Sequence, residues 1–544
     1  MARPSMRGAD VLVHTLQSAG VRRIFTLSGN HIMPVFDAAL DAGVELIHTR
    51  HEAAAVHMAD AWARLTGEVG VALVTGGPGH ANAVSALYTA SMAESPVLLL
   101  SGHAPIAQLG LGAFQEMQQA EIARPLTKAA WTIEHADALH DDIARGWRTA
   151  LAGRSGPVHI SLPTDVLEAT LTRQPDAASR AAFATTGQPL EASDAQAISE
   201  WLAGRKRPIV LTGPTTLTRA GRKCLKALEE HLRVPVIGME SPRGIADPAL
   251  GAFAQALAMA DGVLLLGKKL DFTLKFGRPP AFAATCEVIH VDPDEHELAR
   301  SRRAFGSRLR RAIRADAFAA IEALSVAPQD GEPGRENWQH DVRHAVAYRP
   351  AAWESATGTA GRLHPVQMSR PLQSILDRHP ESVLVSDGGE IGQWAQACLS
   401  APQRVINGTA GSIGSALPFA VAARLAQRDA PVIAVLGDGT FGFHCAEIDT
   451  AVRYGLPFVA VVGNDARWNA EYQIQLRDYG RERTVGCELL PSRYDQVCVA
   501  LGGHGEHIIT PDALLPALDR ALASGLPACL NVMIDGLPAP NIVR

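Results

Sequence analysis

Two apolar runs in the last third of the chain each end in polar residues that could bind a metal ion. The run 432–436 is followed by Gly437-Asp438-Gly439, and the run 458–463 is followed by Asn464 and Asp465, 26 and 27 residues after the aspartate. Carboxylate and amide oxygens are the ligands that Mg²⁺ prefers, and glycine amides can approach a phosphate group closely. A lone Gly-Asp-Gly is more often an ordinary turn after a buried strand, but the paired second run favours a Mg²⁺–diphosphate site.

The elements that carry these residues can be predicted from the same stretch. Both runs have the length and β-branched composition of buried strands, and a helical pattern over 446–454 separates them. A strand, a helix and a strand in this order form a βαβ unit with parallel strands. Because open α/β sheets bind ligands at the carboxyl ends of their strands, we expect Asp438 and Asp465 to face one site.

A second candidate lies near the N-terminus. Glu52 follows a short predicted strand at 45–50 and precedes an alanine-rich helix at 53–65. A buried and hydrogen-bonded carboxyl group at this point could exchange protons with a ligand. An acidic residue at the start of a helix is also favoured by the helix dipole. From the residues alone, both interpretations stay open.

The spacing in the last third resembles the thiamine-diphosphate signature, in which Gly-Asp-Gly is followed at this distance by Asn-Asn. In that family the Asp, the second Asn and a backbone carbonyl just beyond it hold Mg²⁺. The resemblance places these ligands at Asp438, Asp465 and the carbonyl of Arg467. Asp465 replaces the second Asn, so it still supplies an oxygen but adds a negative charge. The resemblance also implies that Glu52, in a His-Glu-x-x-Ala context, protonates N1′ of the aminopyrimidine ring.

Two further motifs are similar to cofactor-binding segments of the same family. Ser386-Asp-Gly-Gly-Glu-Ile391 follows a predicted strand at 382–385, and its glycines would let backbone amides approach the diphosphate. The segment 408–418 is similar to one in which a bulky apolar side chain, here Ile413, supports the bent cofactor. The implied cofactor residues are Gly388, Gly389, Glu390, Ile391, Gly411, Ile413, Gly437, Asp438, Gly439, Thr440 and Trp468.

Substrate-side residues are implied in the first part of the chain. Gly112-Ala-Phe-Gln-Glu116 is similar to a segment that brings Phe and Gln over the thiazolium ring in acetolactate synthases and 2-hydroxyacyl-CoA lyases. Phe114 and Gln115 are therefore candidates, with a solvated loop as the alternative. Several histidines fall at strand ends on the same predicted edge, and histidine titrates near neutrality. We select His31 and His80 as candidate acid–base groups, although a structural role would explain either one.

Composition restricts the class of protein. The chain has 544 residues, a net charge of −6 and no basic block, so neither nucleic acid nor a membrane is an expected partner. Its 7 cysteines lack metal-ligand spacing, and the odd count favours reduced thiols. No apolar segment of signal-peptide or membrane-spanning type is visible. We therefore expect a cytoplasmic enzyme.

Strand and helix patterns alternate in three blocks, which predicts an α/β fold with three doubly wound parallel-sheet domains. Polar segments at 172–195 and 326–362 are interpreted as linkers. The predicted domains cover 1–171, 196–325 and 363–544. With Glu52 in the first and Asp438 in the third, this order resembles the pyrimidine-binding, central and diphosphate-binding domains of the acetolactate synthase superfamily, over essentially the whole chain.

The resemblance implies thiamine diphosphate and Mg²⁺ as cofactors, and FAD, ADP or no ligand in the central domain. It implies a small-molecule carbonyl substrate. It also implies a homodimer or homotetramer in which each cofactor bridges the first domain of one subunit and the third domain of another. The preferred prediction is an acetolactate-synthase-like lyase or carboligase acting on a 2-oxo acid.

Other segments favour different chemistry. Gln473-Ile-Gln475 stands where acetolactate synthases have Gln-Trp-Gln, and segments 267–277 and 439–443 look closer to oxalyl-CoA decarboxylases and 2-hydroxyacyl-CoA lyases. With 9 residues after Asp535, we expect little room for the longer C-terminal segment that covers the CoA tail in some of those enzymes. The CoA enzymes are the alternative prediction, and a non-catalytic nucleotide-binding paralogue is the alternative of another class.

Overall fold

The computed structural model describes residues 6–171, 180–327 and 336–544, in which helices connect the strands of three parallel sheets. The predicted α/β fold class with three parallel sheets is therefore confirmed. By its internal contacts the chain divides into two compact units. Unit 1 is Met1–Thr186, Val421–Ala426 and Ala446–Leu456, and unit 2 is Gly187–Ala420, Gln427–Cys445 and Pro457–Arg544.

The first sheet has six parallel strands in the order β3-β2-β4-β5-β7-β6, and β1 pairs with β8 in an antiparallel ladder. The strands are β1 (Met6–Arg7), β2 (Arg23–Thr26), β3 (Glu45–His48), β4 (Gly70–Val74), β5 (Val97–His103), β6 (Ala129–Thr132), β7 (Val158–Pro163) and β8 (Thr170–Leu171). The helices are α1 (Gly8–Ser18), α2 (Met33–Ala42), α3 (Glu52–Thr66), α4 (Pro78–Met92), α5 (Gln119–Ala123), α6 (Leu139–Leu151) and α7 (Thr164–Glu168). Apolar residues such as Leu16, Leu73 and Ile160 fill the core between them.

The second sheet has five parallel strands in the order β10-β9-β11-β12-β13. The strands are β9 (Pro208–Thr212), β10 (Val236–Gly238), β11 (Gly262–Leu266), β12 (Glu287–Val291) and β13 (Leu309–Ile313). The helices are α8 (Ala192–Ala203), α9 (Arg219–Leu232), α10 (Phe253–Ala258), α11 (Glu295–Phe305), α12 (Ala317–Val326) and α13 (Glu336–Ala347). Alternate strand residues enter separate cores, with Leu211 and Leu265 in one and Val210 and Leu264 in the other. Both faces of this sheet are therefore buried, as in doubly wound folds.

The third sheet has six parallel strands in the order β15-β14-β16-β17-β19-β18. The strands are β14 (Val383–Ser386), β15 (Gln403–Ile406), β16 (Val432–Gly437), β17 (Val459–Asn464), β18 (His504–Ile508) and β19 (Ala528–Met533). The helices are α14 (Pro365–Arg378), α15 (Glu390–Cys398), α16 (Ala416–Ala426), α17 (Asp438–His444), α18 (Glu447–Arg453), α19 (Asn469–Tyr479), α20 (Tyr494–Ala500) and α21 (Pro511–Ala523). β16 and β17 are parallel neighbours, paired from Ile433 with Val459 to Gly437 with Gly463. The predicted pair of adjacent strands is therefore present.

The linker prediction is wrong at two places. α13 lies inside the predicted linker 326–362, and it buries Trp338, Val342 and Ala345 on one face. Their spacing of four and three residues is helical, but the polar residues between them hid it. In the other linker, α8 begins at Ala192. The remaining linker residues 172–179 and 328–335 lie outside the described residues.

Within the described residues, no helix has both the length and the apolar character needed to cross a membrane.

Candidate active site

Asp438 and Asp465 lie at the carboxyl ends of two adjacent strands of unit 2. Asp438 directly follows β16, and Asp465 directly follows β17. Both carboxylates are buried, with 2% and 8% of the residue exposed, and both line one pocket. The parallel register of the strands therefore places two oxygen donors at one site, as the βαβ argument requires.

Burial raises the pKa values of both carboxyl groups. Burial raises the pKa of Asp438 to about 6. Burial, and then the negative charge of Asp438, raise the pKa of Asp465 to about 7, although Arg467 opposes the shift. Within the part of the chain that the structure describes, Asp438 Oδ2 has no hydrogen-bond partner. Because a buried carboxylate oxygen is costly without a partner, this pair fits a bound divalent cation such as Mg²⁺.

Glycine is required at two positions beside these carboxylates. Gly388 has a φ of 104°, and a Cβ there would lie 3.1 Å from both the Gly437 nitrogen and Thr440 Oγ1. A Cβ on Gly439 would lie 2.5 Å from the Trp468 ring. Side chains at these points would push the two turns apart. The turns therefore keep their backbone close to the pocket, as a diphosphate-binding cradle requires.

Most of the predicted cofactor and metal residues meet in this pocket of unit 2. Those that line it are Gly389, Glu390, Ile391, Ile413, Gly437, Asp438, Gly439, Thr440, Asp465, Arg467 and Trp468. Gly388 and Gly411 do not line it: Gly388 packs behind Gly437, and Gly411, with a φ of 67°, has Pro242 as its neighbour. Asn464 is turned into the protein, where its amide donates to Ser492 and Asn531.

Asp387, which the sequence argument did not select, connects two segments that carry residues of this site. Its carboxylate accepts hydrogen bonds from the backbone of Gly414 and Ala416, at 3.0 and 2.9 Å, and from Ser415 Oγ at 3.2 Å. It thereby ties the turn after β14 to the segment that carries Ile413. Burial raises the pKa of Asp387 to about 6. An acidic residue between a buried strand and two glycines was the available signal.

Glu52 lies at the first position of α3 in unit 1, and 8% of the residue is exposed. Its Oε2 accepts a hydrogen bond from Asn82 Nδ2 at 3.0 Å. Its Oε1 faces Gly79, where a Cβ would lie 3.4 Å away. The His51 side chain caps the helix by accepting from the Ala53 nitrogen at 3.1 Å. Glu52 is therefore at the start of the helix without being its cap, and the interpretation as an acidic residue favoured by the helix dipole stays open.

Three of the predicted substrate-side residues lie together in unit 1: Phe114 and Gln115 are on one loop, and His31 contacts it. The His31 and Phe114 rings are stacked with 6.1 Å between centroids, and His31 Nδ1 lies 3.2 Å from Thr75 Oγ1. Burial lowers the pKa of His31, which favours the neutral imidazole. Phe114 is 69% exposed, and Gln115 has a φ of 57° and lies against Gly77. The loop that carries Phe114 and Gln115 is thus next to the glycine-rich turn before α4.

A single carboxylate organises the loop that carries Phe114. Glu116 accepts hydrogen bonds from the backbone nitrogens of Gly110, Gly112 and Ala113 at 2.5, 3.2 and 3.1 Å. These bonds lower the pKa of Glu116, so it stays ionised near neutral pH. The bonds fold the loop back on itself and hold the apolar Phe114 ring outside it.

His80 faces the interior of unit 1. Its ring is fully buried, its Nδ1 lies 2.9 Å from Ser101 Oγ, and its centroid is 4.4 Å from that of His159. Burial lowers the pKa of His80 to about 4, so the ring is neutral near pH 7. This environment is structural, and the acid–base role of His80 stays a prediction.

Comparison with known families gives three matches along the chain. A model described as "Thiamine pyrophosphate enzyme, N-terminal TPP binding domain" matches residues 6–122, and the corresponding C-terminal TPP binding domain matches 387–532. The central domain of the same enzymes matches 195–324. The chain belongs to the thiamine pyrophosphate enzyme family. The predicted class, a thiamine-diphosphate-dependent enzyme that forms or cleaves carbon–carbon bonds, is confirmed.

The relatives fall into two groups with different names. A probable acetolactate synthase of Mycobacterium bovis and an acetolactate synthase large subunit of Mycobacterium tuberculosis are each 31% identical over 542 residues, covering 98% of this chain and 96% of theirs. The human 2-hydroxyacyl-CoA lyase 2 is 31% identical over 580 residues, covering 97% of this chain and 90% of its own. Sequence identity to these relatives therefore does not decide between acetolactate synthase and 2-hydroxyacyl-CoA lyase activity.

Asp465→Asn is expected to retain the cofactor and to make Mg²⁺ binding less sensitive to pH. Mg²⁺ needs the ionised carboxylate, so protons compete with the metal at a group whose pKa is about 7. Wild-type affinity for Mg²⁺ should fall as the pH drops through neutrality. The variant should weaken only as Asp438, with a pKa of about 6, becomes protonated. Mg²⁺ titrations with thiamine diphosphate across this range measure the difference, and complete loss of the cofactor in the variant would show that Asp465 is wrongly aligned with the family's second Asn.

Proposed function

We propose that this chain is an acetolactate-synthase-like lyase or carboligase acting on a 2-oxo acid. The observation that carries the proposal is the pair of buried carboxylates, Asp438 and Asp465, beside two glycine turns. The buried Glu52 carboxyl with its Asn82 partner supports it. Bound thiamine diphosphate supplies carbanion chemistry at a carbonyl carbon, which no side chain provides by itself.

We assign cofactor-binding tasks to residues on both units. Asp438, Asp465 and the backbone carbonyl of Arg467 would hold Mg²⁺, and the ion would offset the diphosphate charge. Ile413, which lines the same pocket, would support the bent shape of the cofactor. Glu52 holds and returns a proton at N1′ of the aminopyrimidine, and its neighbour Asn82 keeps the carboxyl group oriented.

Substrate-side tasks fall to the loop of unit 1 around Gly77. Phe114 offers an exposed apolar ring that excludes water from a bound carbonyl compound. Gln115 supplies an amide for hydrogen bonding to the substrate carbonyl or carboxylate. His31, neutral and stacked on Phe114, can donate or accept one hydrogen bond at a substrate oxygen.

A panel of 2-oxo acids tests the proposed function. With thiamine diphosphate and Mg²⁺, the purified protein should release CO₂ from at least one of them. A second function, cleavage of 2-hydroxyacyl-CoA thioesters, is favoured by Ile474 in place of the acetolactate synthase Trp and by the equal identity to the human lyase. Aldehyde release from those thioesters without CO₂ release from any 2-oxo acid would select it. Absence of cofactor binding and of both reactions would favour the non-catalytic paralogue.

The central domain adds a separate question about ligands. The family resemblance predicts FAD, ADP or no ligand there. Absorption spectra and nucleotide analysis of the purified protein distinguish these three outcomes. We further propose the boundaries 1–171, 196–325 and 363–544 for the three domains, with α13 packed against the core of the second, and limited proteolysis outside α8 and α13 is the corresponding test.

We propose a homodimer, or a tetramer of two such dimers, whose cofactor sites each use Glu52 of one subunit and Asp438 of the other. Mixing Glu52→Ala chains with Asp438→Ala chains should then restore activity, although neither variant works alone. Each heterodimer would hold one intact site and one doubly broken site, so about half of its sites should be active. Activity after subunit exchange, with exchange itself followed by differently tagged chains, is the measurement. Exchange without recovery would place both residues of a site on one chain.

A further inference from the structure

A buried carboxylate on α18 contacts the turn that leads into Glu52. Glu447 is 1% exposed, and its Oε1 accepts a hydrogen bond from the backbone nitrogen of Arg50 at 3.0 Å. Its Oε2 accepts from Thr450 Oγ1 at 2.6 Å. Burial raises the pKa of Glu447 to about 6, partly offset by these bonds and by the backbone of His51. All these residues belong to unit 1, which includes Ala446–Leu456.

Arg453 and Tyr454, at the end of α18, form hydrogen bonds with the backbone of β3, the strand before that turn. The Tyr454 hydroxyl accepts from the backbone nitrogen of His48 at 2.8 Å and donates to the carbonyl of Leu46 at 2.7 Å. Arg453 Nη2 donates to the carbonyl of His48 at 2.7 Å. The strand β3 has only four residues and lies at the edge of its sheet. α18 therefore supplies hydrogen bonds that an edge strand lacks on its open side.

Few residues separate these contacts from Glu52 along the chain. Arg50, which Glu447 binds, is two residues before Glu52 in the chain, and His51 between them is extended with φ −151° and ψ 142°. The backbone of this turn therefore sets the direction from which α3 begins. A displacement of the turn would move the Glu52 carboxyl group relative to Asn82, the partner of its Oε2.

Close packing of α18 does not by itself require a carboxylate at Glu447. Burying a carboxylate is costly, and an apolar side chain of similar volume would fill the same space at lower cost. Both oxygens of Glu447 are instead aimed at hydrogen-bond donors, and one of these is the backbone of the turn itself. Such a bond fixes the position of the backbone more closely than apolar contact does.

We propose that Glu447 and Tyr454 are positioning residues that hold the turn before Glu52, so that its carboxyl group meets the aminopyrimidine of the cofactor. This inference rests on the proposed function. Neither residue touches the cofactor in the proposal. Both act through the backbone of residues 46–51.

Exchange of the C2 proton of bound thiamine diphosphate, measured by NMR after acid quench, tests the inference without a substrate. Glu447→Ala should slow exchange about 10- to 100-fold while the Kd of the cofactor changes little, because a small displacement of a catalytic group has effects of this size. Glu447→Gln should be close to wild type, since its amide oxygen can accept the same backbone bonds. Tyr454→Phe keeps the ring and should slow exchange less than Glu447→Ala, which provides a second variant if the alanine chain fails to fold.

Asp60→Ala is the matched control. Asp60 is a fully buried carboxylate of unit 1 on α3, eight residues after Glu52, and it pairs with Arg64 one helical turn further along. Its loss should lower thermal stability without slowing C2 exchange. The inference is overturned if Glu447→Ala and Tyr454→Phe exchange at the wild-type rate, or if Asp60→Ala slows exchange as much as Glu447→Ala at equal loss of stability. If wild-type protein itself shows no faster exchange than Glu52→Gln, the proposed function fails together with this inference.

Discussion

Glu52→Gln should bind thiamine diphosphate with nearly wild-type affinity and deprotonate it at C2 about 10²- to 10⁴-fold more slowly. The amide oxygen of Gln can still accept the hydrogen bond from Asn82, so the shape of the site is preserved. An amide cannot hold and return a proton at N1′, so only the proton transfer is lost. Binding by calorimetry and C2 exchange by NMR separate the two effects.

Glu45→Gln is a suitable control for this experiment. Glu45 is an exposed carboxylate at the start of β3, the strand that leads to Glu52, and it pairs with Arg23. Its neutralisation changes the charge of unit 1 by the same amount but should leave exchange unchanged. C2 exchange at the wild-type rate in Glu52→Gln would contradict the assignment of Glu52 as the group that exchanges a proton with N1′. Equal slowing in both variants would point to a long-range effect of charge.

Asp438→Ala should abolish Mg²⁺-dependent retention of the cofactor. The variant loses the carboxylate whose buried Oδ2 has no hydrogen-bond partner among the described residues, and it leaves Asp465 as the only carboxylate of the proposed ligand set, beside the Arg467 carbonyl. Asp438→Asn keeps one oxygen and should weaken retention without abolishing it. Gel filtration of the loaded protein, followed by assay of bound thiamine diphosphate and Mg²⁺, measures the loss.

The stability of the metal-free protein separates a binding defect from a folding defect. Burial raises the pKa of Asp438 above its ordinary value, to about 6, so its contribution to stability declines as the pH rises from the unfolded value through 6. At pH 8 the ionised carboxylate is unfavourable, and metal-free Asp438→Ala should unfold at a temperature no lower than wild type. The exposed Asp429, just before β16, provides an alanine control that should retain the cofactor. A variant that loses both stability and the cofactor would indicate a structural role for Asp438.

The sequence predicted the structure correctly where an apolar strand pattern ends in residues that can bind a ligand. Apolar β-branched runs predicted β16 and β17, and their polar ends predicted the site of Asp438 and Asp465, because parallel strands in a βαβ unit must end at one edge. Short strands with mixed polarity were missed. β13 begins Leu-Arg-Arg and is an edge strand that exposes both arginines, so it lacks the apolar run by which a buried strand is detected.

What the sequence by itself determined was the fold class, the family and the residue types available for binding a diphosphate and a cation. The fold class and the residue types follow from composition and spacing within a few tens of residues, and the family follows from the resemblance of the motifs that carry those residues. Only the tertiary structure decided which groups act together over longer distances. Asp387 reaches the backbone of Ala416, 29 residues away, and Glu447 reaches that of Arg50, 397 residues away. Such pairings depend on how separate elements pack in three dimensions. Every residue except proline has a backbone N–H, so a hydrogen bond from that group does not depend on the side chain of the donor residue. No pattern in the sequence can therefore predict which backbone amide a buried carboxylate will bind.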